Sequence, residues 1–201
     1  MSTAINEHLF KGEIRGFWRL LARGADRSAI VHHRHTNRGF DFGLDGHGHA
    51  RRNAGIIAPT DRSLGAGRWL YRFVGTIAFN TRRLDAVMGN WWLDEDVWLL
   101  LRQEALHHRT PLPMVAQNYL ALPEEWGDRG RVVKARLTSS VMVWSGVGEV
   151  AQGIQGRHTP MQQNKAVQLF IPGTPELIVQ AFGGLDNAEC LHTRDAVSSW
   201  S

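Results

Sequence analysis

Histidines form the densest group of potentially reactive side chains in this 201-residue sequence. Five imidazoles fall within 18 residues: His32, His33, His35, His47 and His49. Aspartates at positions 41 and 45 lie among them, and imidazole nitrogens with carboxylate oxygens can bind a metal ion or transfer protons. The spacing matches no zinc signature and no HExxH motif is present, so no metal ligand is assigned. A histidine-dependent metal-binding nuclease or phosphoesterase built on residues 32–49 stays open as one function.

Arginines and phenylalanines are interleaved in the same stretch. The residues are Arg34, Arg38, Arg51 and Arg52, with Phe40 and Phe42. Guanidinium groups contact phosphates and aromatic rings stack on bases, which is how many proteins hold single-stranded nucleic acids. No RNP, KH or zinc-finger motif accompanies them. The pattern therefore leaves open an arginine-rich nucleic-acid-binding or regulatory module without catalysis.

A third group of residues combines one arginine with two adjacent tryptophans. The aromatic and β-branched run Trp69–Val74 predicts a strand that carries Arg72 in its middle. Trp91 and Trp92 come shortly before the strongest helix pattern of the chain, Asp94–His108. An arginine on a strand and a pair of indole rings at a helix start are typical of a binding site.

The predicted helix Asp94–His108 has clear end signals. Asp94 can cap its first N–H groups, acidic residues follow in the first turn, and basic residues lie in the last turn. Pro111 ends the pattern. The run Val97–Leu101 is apolar on all sides, so we expect this helix to be buried between layers.

Two short motifs, Leu70-Tyr71-Arg72 and Thr138-Ser139-Ser140, each fall within a predicted strand. They resemble motifs of the ADP-ribosyltransferase superfamily, in which an early strand carries an arginine or histidine and a later strand carries a Ser-Thr-Ser-like triplet. The resemblance implies a compact split-sheet fold of about this size that binds NAD in a cleft. It also implies a reaction in which NAD is cleaved and ADP-ribose is transferred to an acceptor that the resemblance does not identify.

The resemblance gives each matched residue a role in binding NAD. Arg72 would hold a phosphate or the ribose as a bidentate donor. Ser139 or Ser140 would support the nicotinamide ribose, and one of the two tryptophans would stack on the cationic nicotinamide ring. The NAD-binding residues so implied are Tyr71, Arg72, Trp91, Trp92 and Ser140.

The same reaction needs a carboxylate that stabilises a developing oxocarbenium ion, as in glycoside cleavage. The family's Glu-x-Glu or Gln-x-Glu pair after the serine triplet is absent from this sequence. Glu149 follows the second strand closely, and Glu176 is the other available carboxylate. In a divergent or inactive member of the family, Gln163 or Gln168 would replace the catalytic glutamate. The catalytic residues so implied are Arg72, Ser139 and Glu149.

Charge and cysteine content bear on partners and location. Residues 1–83 hold 14 Lys and Arg against 6 Asp and Glu, a balance of +8, whereas residues 84–201 hold 9 against 13, a balance of −4. The basic half could meet a protein or nucleic-acid acceptor, or it could pair with the acidic half. Cys190 is the only cysteine, which excludes an internal disulfide. Without a long apolar run or a secretory leader, we expect a cytoplasmic protein with no membrane span.

Hydrophobic periodicity predicts the elements that would position these groups. The predicted elements are an N-terminal amphipathic helix (2–23), a hairpin and loop (29–53), strands at 131–144 and 166–171, and a strand or short helix at 176–182. Strands scattered among helices favour a single compact α+β domain with a mixed, split β-sheet and flanking helices. Within residues 1–201 we divide an N-terminal helix and linker (1–28) from an α+β core (29–201). The Gly-x-Ser-x-Gly, P-loop and dinucleotide-binding motifs are absent.

Overall fold

The computed structural model describes residues 3–24, 55–76, 86–120, 128–149 and 166–200. The predicted hairpin of residues 29–53, the histidine cluster, the arginine–phenylalanine group and Gln163 lie outside the described residues. The candidate residues from position 69 onward that carry the resemblance, together with Glu176 and Gln168, lie within them.

Helices and strands alternate irregularly along the described residues. The α-helices are α1 (Gly12–Ala22), α2 (Glu95–His107), α3 (Leu112–Leu120), α4 (Pro175–Ala181) and α5 (Thr193–Ser199), with short 3₁₀ helices at Glu7–Phe10 and Leu185–Asn187. The strands are β1 (Thr60–Leu64), β2 (Trp69–Val74), β3 (Trp91–Asp94), β4 (Arg131–Arg136), β5 (Val141–Val147), β6 (Val167–Phe170) and β7 (Ala188–His192). In this part of the chain no helix is both long and apolar enough to cross a membrane.

The seven strands form one sheet in the order β1-β5-β6-β3-β2-β4-β7. Every strand pair among the described residues is antiparallel, so the sheet is not mixed there. Strand β3 divides its pairing, because Trp91 and Trp92 pair with β6 whereas Leu93 and Asp94 pair with β2. The sheet is therefore split at β3 into two halves, and the prediction of a single compact α+β domain with a split sheet is confirmed.

The sheet must also bend, because the chain between β4 and β5 is short. These strands are four positions apart in the sheet, which is about 19 Å in a flat sheet. Only residues 137–140 connect them, and that length of chain reaches about 17 Å when fully extended. In agreement with a bend, all seven strands contribute side chains to one inner core: Leu64, Leu70, Trp92, Val133, Val143, Leu169 and Ala188.

Helices cover the outer faces of the two halves. Helices α2, α3 and α5 pack on the half that contains β2 and β4, and their core includes Trp98 and Trp200. Helix α1 and the first 3₁₀ helix pack on the half that contains β5 and β6, against Trp144 and Phe170. Helix α4 contributes Ile178 to the inner core.

Helix α2 confirms the predicted helix and its cap, since the Asp94 carboxylate accepts a hydrogen bond from the Val97 N–H at 3.2 Å. The prediction that it is buried on all sides is wrong. Its buried residues, Val97, Trp98, Leu101 and Ala105, lie on the side that faces the sheet and α3. Leu99, Leu100 and Leu106 are exposed on the remaining surface.

Two other predicted elements are interrupted by left-handed or turn backbone. The N-terminal helix is divided at Gly12, whose φ of +56° is unfavourable for residues with a side chain. The strand predicted at 131–144 ends at Arg136 and resumes at Val141. The N–H groups of Thr138 and Ser139 donate to the carbonyl of Ala181 at the end of α4 instead of to a neighbouring strand. The predicted strand at 166–171 is confirmed as β6. Of the strand or short helix predicted at 176–182, the structure shows the helix, which is α4 and ends at Ala181.

Candidate functional site

Arg72 lies on the inner face of β2, where it is flanked by Leu70 and Val74 of the inner core. Alternate residues of a strand point to the same face, so these three side chains share one side of the sheet. A charged residue between two core residues is uncommon unless its charge has a partner.

Gly89 contacts the guanidinium of Arg72 directly. A Cβ atom built on Gly89 would overlap with Nη1, Cζ and Nη2 of Arg72. Because Nε and Nη1 of Arg72 are themselves buried, residue 89 has to be glycine for the guanidinium to keep its place. The segment that contains Gly89 also contributes Ala86 and Val87 to the inner core.

The turn at Gly89 is fixed by hydrogen bonds to distant parts of the chain. Trp92 Nε1 donates to the carbonyl of Gly89 at 2.7 Å. Asn90 Nδ2 donates to the carbonyls of Ile171 at 2.8 Å and Gly173 at 3.2 Å, and the Asn90 carbonyl accepts from the Ile171 N–H at 2.8 Å. The segment that contacts Arg72 is therefore hydrogen-bonded to the residues that follow β6.

A second asparagine supports the same segment. Asn6 is fully buried, and its Nδ2 donates to the carbonyls of Met142 at 2.8 Å and Pro172 at 3.0 Å. Its Oδ1 accepts from the Met142 N–H at 2.7 Å. The carbonyls of the three consecutive residues 171–173 are thus all bonded by Asn6 or Asn90, which makes this turn rigid.

The guanidinium of Arg72 has no counterion in the described part of the chain. Its Nε and Nη1 atoms are buried and have no hydrogen-bond partner. Burial lowers the pKa of Arg72 to about 10. A buried cation without a partner is costly, so its donors are available to an anion that could reach them.

Tyr71 points to the opposite face of β2 and does not share this environment. Its ring stacks on Trp98, with centroids 4.9 Å apart and planes 4° from parallel, and it meets Trp200 edge-on at 6.1 Å. Burial raises the pKa of Tyr71 to about 12, and the charges of Glu95 and Glu189 add to the shift. The structure therefore does not bring Tyr71 and Arg72 together.

Trp91 and Trp92 also separate, because they are consecutive residues of a strand. Trp92 lies in the inner core with Arg72 and contacts Phe182 at a centroid distance of 4.6 Å. Trp91 lies on the outer face, edge-on to Phe170 at 5.1 Å. The predicted paired platform is not formed, and Trp92 is the indole on the side of Arg72.

The triplet Thr138-Ser139-Ser140 lies in the turn between β4 and β5, so its predicted strand setting is wrong. Thr138 Oγ1 donates to the carbonyl of Ala181 at 3.2 Å, and the carbonyl of Ser140 accepts from the Ile5 N–H at 3.0 Å. Ser139 and Ser140 are half-buried. These bonds join the turn to α4 and to the N-terminal segment.

Neither carboxylate suggested by the sequence forms an ion pair with Arg72. Glu149 follows β5 on an exposed stretch, and its N–H donates to the carbonyl of Gly55 at 2.6 Å. Glu176 is exposed in the first turn of α4, where hydrogen bonds from its own backbone and from Thr174 lower the pKa of its carboxyl group. Gln168 donates to the carbonyl of Leu120 at 3.0 Å, which is a structural role.

Asp128 is a carboxylate that the sequence analysis did not single out. Its Oδ1 accepts from the N–H groups of Thr76 at 2.8 Å and Gly130 at 3.2 Å, just beyond the end of β2. These bonds, that of Thr76 first, lower the pKa of Asp128. The Asp-x-Gly turn at residues 128–130 was the available signal. Among the described residues no group of three or more His, Cys, Asp or Glu side chains is arranged to hold a metal ion.

Comparison with known proteins gives no family for this chain. No family model matches, and no curated protein matches. A solved structure of Tne2 in complex with Tni2 is similar over 74% of this chain and 91% of that chain, with 13% identity and a TM-score of 0.38. Rhs1-CT in complex with its cognate immunity protein RhsI1 is similar over 72% and 84%, with 12% identity and a TM-score of 0.36. Both TM-scores are too low for the similarity to bear on function.

Proposed function

We propose that the protein binds NAD at Arg72 and acts as an ADP-ribosyltransferase-like enzyme. The observation that carries this proposal is the buried guanidinium of Arg72, whose Nε and Nη1 have no partner among the described residues. The pyrophosphate of NAD is a dianion with oxygens that a guanidinium can bind with two parallel hydrogen bonds. Away from water such charge-assisted bonds are strong, and they would satisfy donors that are otherwise orphaned.

Two further features support the proposal. Trp92 lies on the same side of the sheet as Arg72, and its Nε1 is already bonded to Gly89, so the ring is held in one orientation. Asn90 hydrogen-bonds the Gly89 turn to the residues that follow β6. The turn that contacts the guanidinium is therefore held in position. A preorganised cation stabilises bound phosphate without further ordering of the protein.

In the proposed reaction, the bond between the nicotinamide nitrogen and C1′ of the ribose breaks and nicotinamide leaves with the bonding electrons. A nucleophile of the acceptor forms the new bond to C1′ and loses its proton to solvent or a base. A carboxylate lowers the energy of the oxocarbenium-like ribose between these events. Glu149 is the proposed carboxylate, with Ser139 supporting the ribose, and Asp128 is the alternative to test. The proposed acceptor is a protein or nucleic acid that approaches the basic half, residues 1–83.

The test is nicotinamide release from NAD, with transfer of labelled ADP-ribose measured in parallel. We expect Arg72→Met to reduce turnover by at least about 100-fold, because mutations that remove one preorganised charge donor have effects of this size. Arg136→Met is the matched control, since Arg136 is an exposed arginine on the neighbouring strand. Absence of turnover in the unmodified protein, or equal turnover in Arg72→Met and Arg136→Met, would rule the proposal out.

A binding experiment separates ligand recognition from catalysis. Calorimetry with ADP-ribose, which lacks the reactive bond, should show binding that is lost in Arg72→Met and retained in Glu149→Gln. Loss of turnover in Glu149→Gln with binding retained would identify the carboxylate. If Glu149→Gln turns over NAD normally and Asp128→Asn does not, the catalytic role moves to Asp128. The nucleic-acid and metal alternatives rest on residues 32–52, outside the described residues, and stay predictions.

A further inference from the structure

Helix α2 exposes two leucines on the side that faces away from the sheet. Leu99 is 44% exposed and Leu106 is 56% exposed. They are seven residues apart, which is two turns of helix, so their side chains lie in one row along the surface. The buried residues of α2, among them Trp98 and Leu101, are on the opposite side.

Other apolar side chains are exposed on the same helix and on the helix packed against it. Leu100 is 40% exposed beside it, and Met114 is 54% exposed on the adjoining helix α3. Single exposed apolar residues are common, but a contiguous group along one helix is typical of an interaction surface. The apolar row alone does not indicate which partner binds it or in which orientation. The charged residues at its two ends do.

Those charges are of opposite sign at the two ends of α2. Glu95 and Asp96 are exposed at its start, and His107 and Arg109 are exposed at its end. A second α2 that runs antiparallel across the row would place Leu99 against Leu106 of the second copy, and Asp96 against Arg109 of the second copy. A parallel arrangement would place like charges together.

We propose that α2 is the contact surface of a two-fold symmetric homodimer, in which α2 of one copy packs antiparallel on α2 of the other. The surface is self-complementary, as two-fold contacts require, because Leu99 meets Leu106 and Asp96 meets Arg109 of the second copy. Gln103 lies at the centre of the row, and its amide can both donate to and accept from the same residue of the second copy. Arg102, the other central residue, is held towards α5 by the bond from its Nε to the Val197 carbonyl at 2.6 Å.

The association is measured by sedimentation equilibrium of the whole chain from about 1 μM to about 1 mM, the range in which a contact of one helix face dissociates. We expect a monomer–dimer equilibrium. Leu106→Glu should raise the dissociation constant at least about tenfold, because it places a carboxylate against Leu99 of the second copy without a counterion. Ile14→Glu is the control, since Ile14 is a similarly exposed residue of α1.

Charge reversal tests the antiparallel register. Asp96→Arg alone and Arg109→Asp alone each bring two like charges together and should weaken the dimer by a few-fold. The double variant with both changes restores opposite charges and should recover most of the lost affinity. Circular dichroism melting confirms that each variant is folded. A monomer at every concentration, a dimer insensitive to Leu106→Glu, or a double variant weaker than both single variants would overturn the proposal.

Discussion

On one face of β2, Tyr71 stacks on Trp98 within a group of rings that also includes Trp200. On the other face, one residue along, Arg72 is buried against Gly89 with no counterion among the described residues. The first arrangement gains apolar burial and ring contacts, whereas the second retains a charge that no described residue neutralises. The difference shows that burial alone does not identify a stabilising residue, since a buried charge without a partner among the described residues costs stability.

The largest expected effect is on the aromatic face. Trp98→Ala removes a side chain that is 1% exposed and contacts Tyr71, Phe73 and Trp200. We expect a loss of about 3–5 kcal/mol in the free energy of unfolding, as for other buried tryptophans. Urea denaturation followed by circular dichroism measures it. A loss as small as that of a surface substitution would mean that the rings of this face are not a packed core.

Substitution of Arg72, on the other face of β2, should instead increase the free energy of unfolding. Burial lowers the pKa of Arg72 to about 10, which corresponds to a penalty of about 3 kcal/mol on the charged form. Both folded and unfolded states are protonated below pH 10, so this penalty is fully present at neutral pH. Arg72→Met removes the charge and keeps an apolar chain of similar length, and we expect the protein to become more stable by up to about 3 kcal/mol. Denaturation of Arg72→Met beside Arg136→Met checks this, and a destabilised Arg72→Met would show that the guanidinium is satisfied.

The contact between Gly89 and Arg72 can be tested by a double-mutant cycle. Gly89→Ala introduces a Cβ that overlaps the guanidinium, and overpacking of this kind costs about 1–3 kcal/mol. Arg72→Ala removes the overlapping atoms, so the cost of Gly89→Ala should largely disappear in the double variant. If Gly89→Ala is equally destabilising with and without Arg72, the cause is the backbone of residue 89 and not the guanidinium.

The smallest expected effect is a pH dependence of the free energy of unfolding that is due to Tyr71. The pKa of Tyr71 is raised to about 12 in the folded protein, from an ordinary value of 10.0. The unfolded chain therefore loses the proton first, and the stability contributed below pH 10 is lost as the pH rises towards 12. At about pH 11 this loss is about 1.4 kcal/mol. Tyr71→Phe cannot lose a proton at this position, so its stability relative to the unmodified protein should improve from pH 9 to about pH 11, and an unchanged difference would contradict the assignment.

Several elements could be predicted because their signals are local. The aromatic and β-branched run of β2, the strand segment 166–171 and the Asp94 cap of α2 depend on neighbouring residues, and all three are confirmed. Strands β1 and β7 were missed because edge strands with polar outward residues, such as Thr60–Leu64, lack an apolar alternation. Helix α3 was missed because Pro111 and Pro113 disfavour a helix interior, although prolines fit well in a first helical turn.

The candidate site was predicted only in part. Arg72 was selected from its strand setting, but its neighbours Gly89, Asn90 and Asn6 come from separate elements that no local pattern connects. The pairing of the two tryptophans was misread because the strand β3 was not recognised before α2, and within a strand adjacent side chains point to opposite faces. Asp128 was missed since its partner, the Thr76 N–H, is 52 residues away in the chain.

The sequence by itself determined that Arg72 lies on a strand and that Asp94 starts a helix, because strand propensity and capping act over a few residues. Only the tertiary structure decided that Nε and Nη1 of Arg72 are buried with no partner among the described residues. That outcome depends on the Gly89 turn, which is held by Asn90 against residues 171–173, more than 80 residues further along the chain. Long-range hydrogen bonds of this kind set the surroundings of a charge, and they arise only when the sheet brings distant strands together.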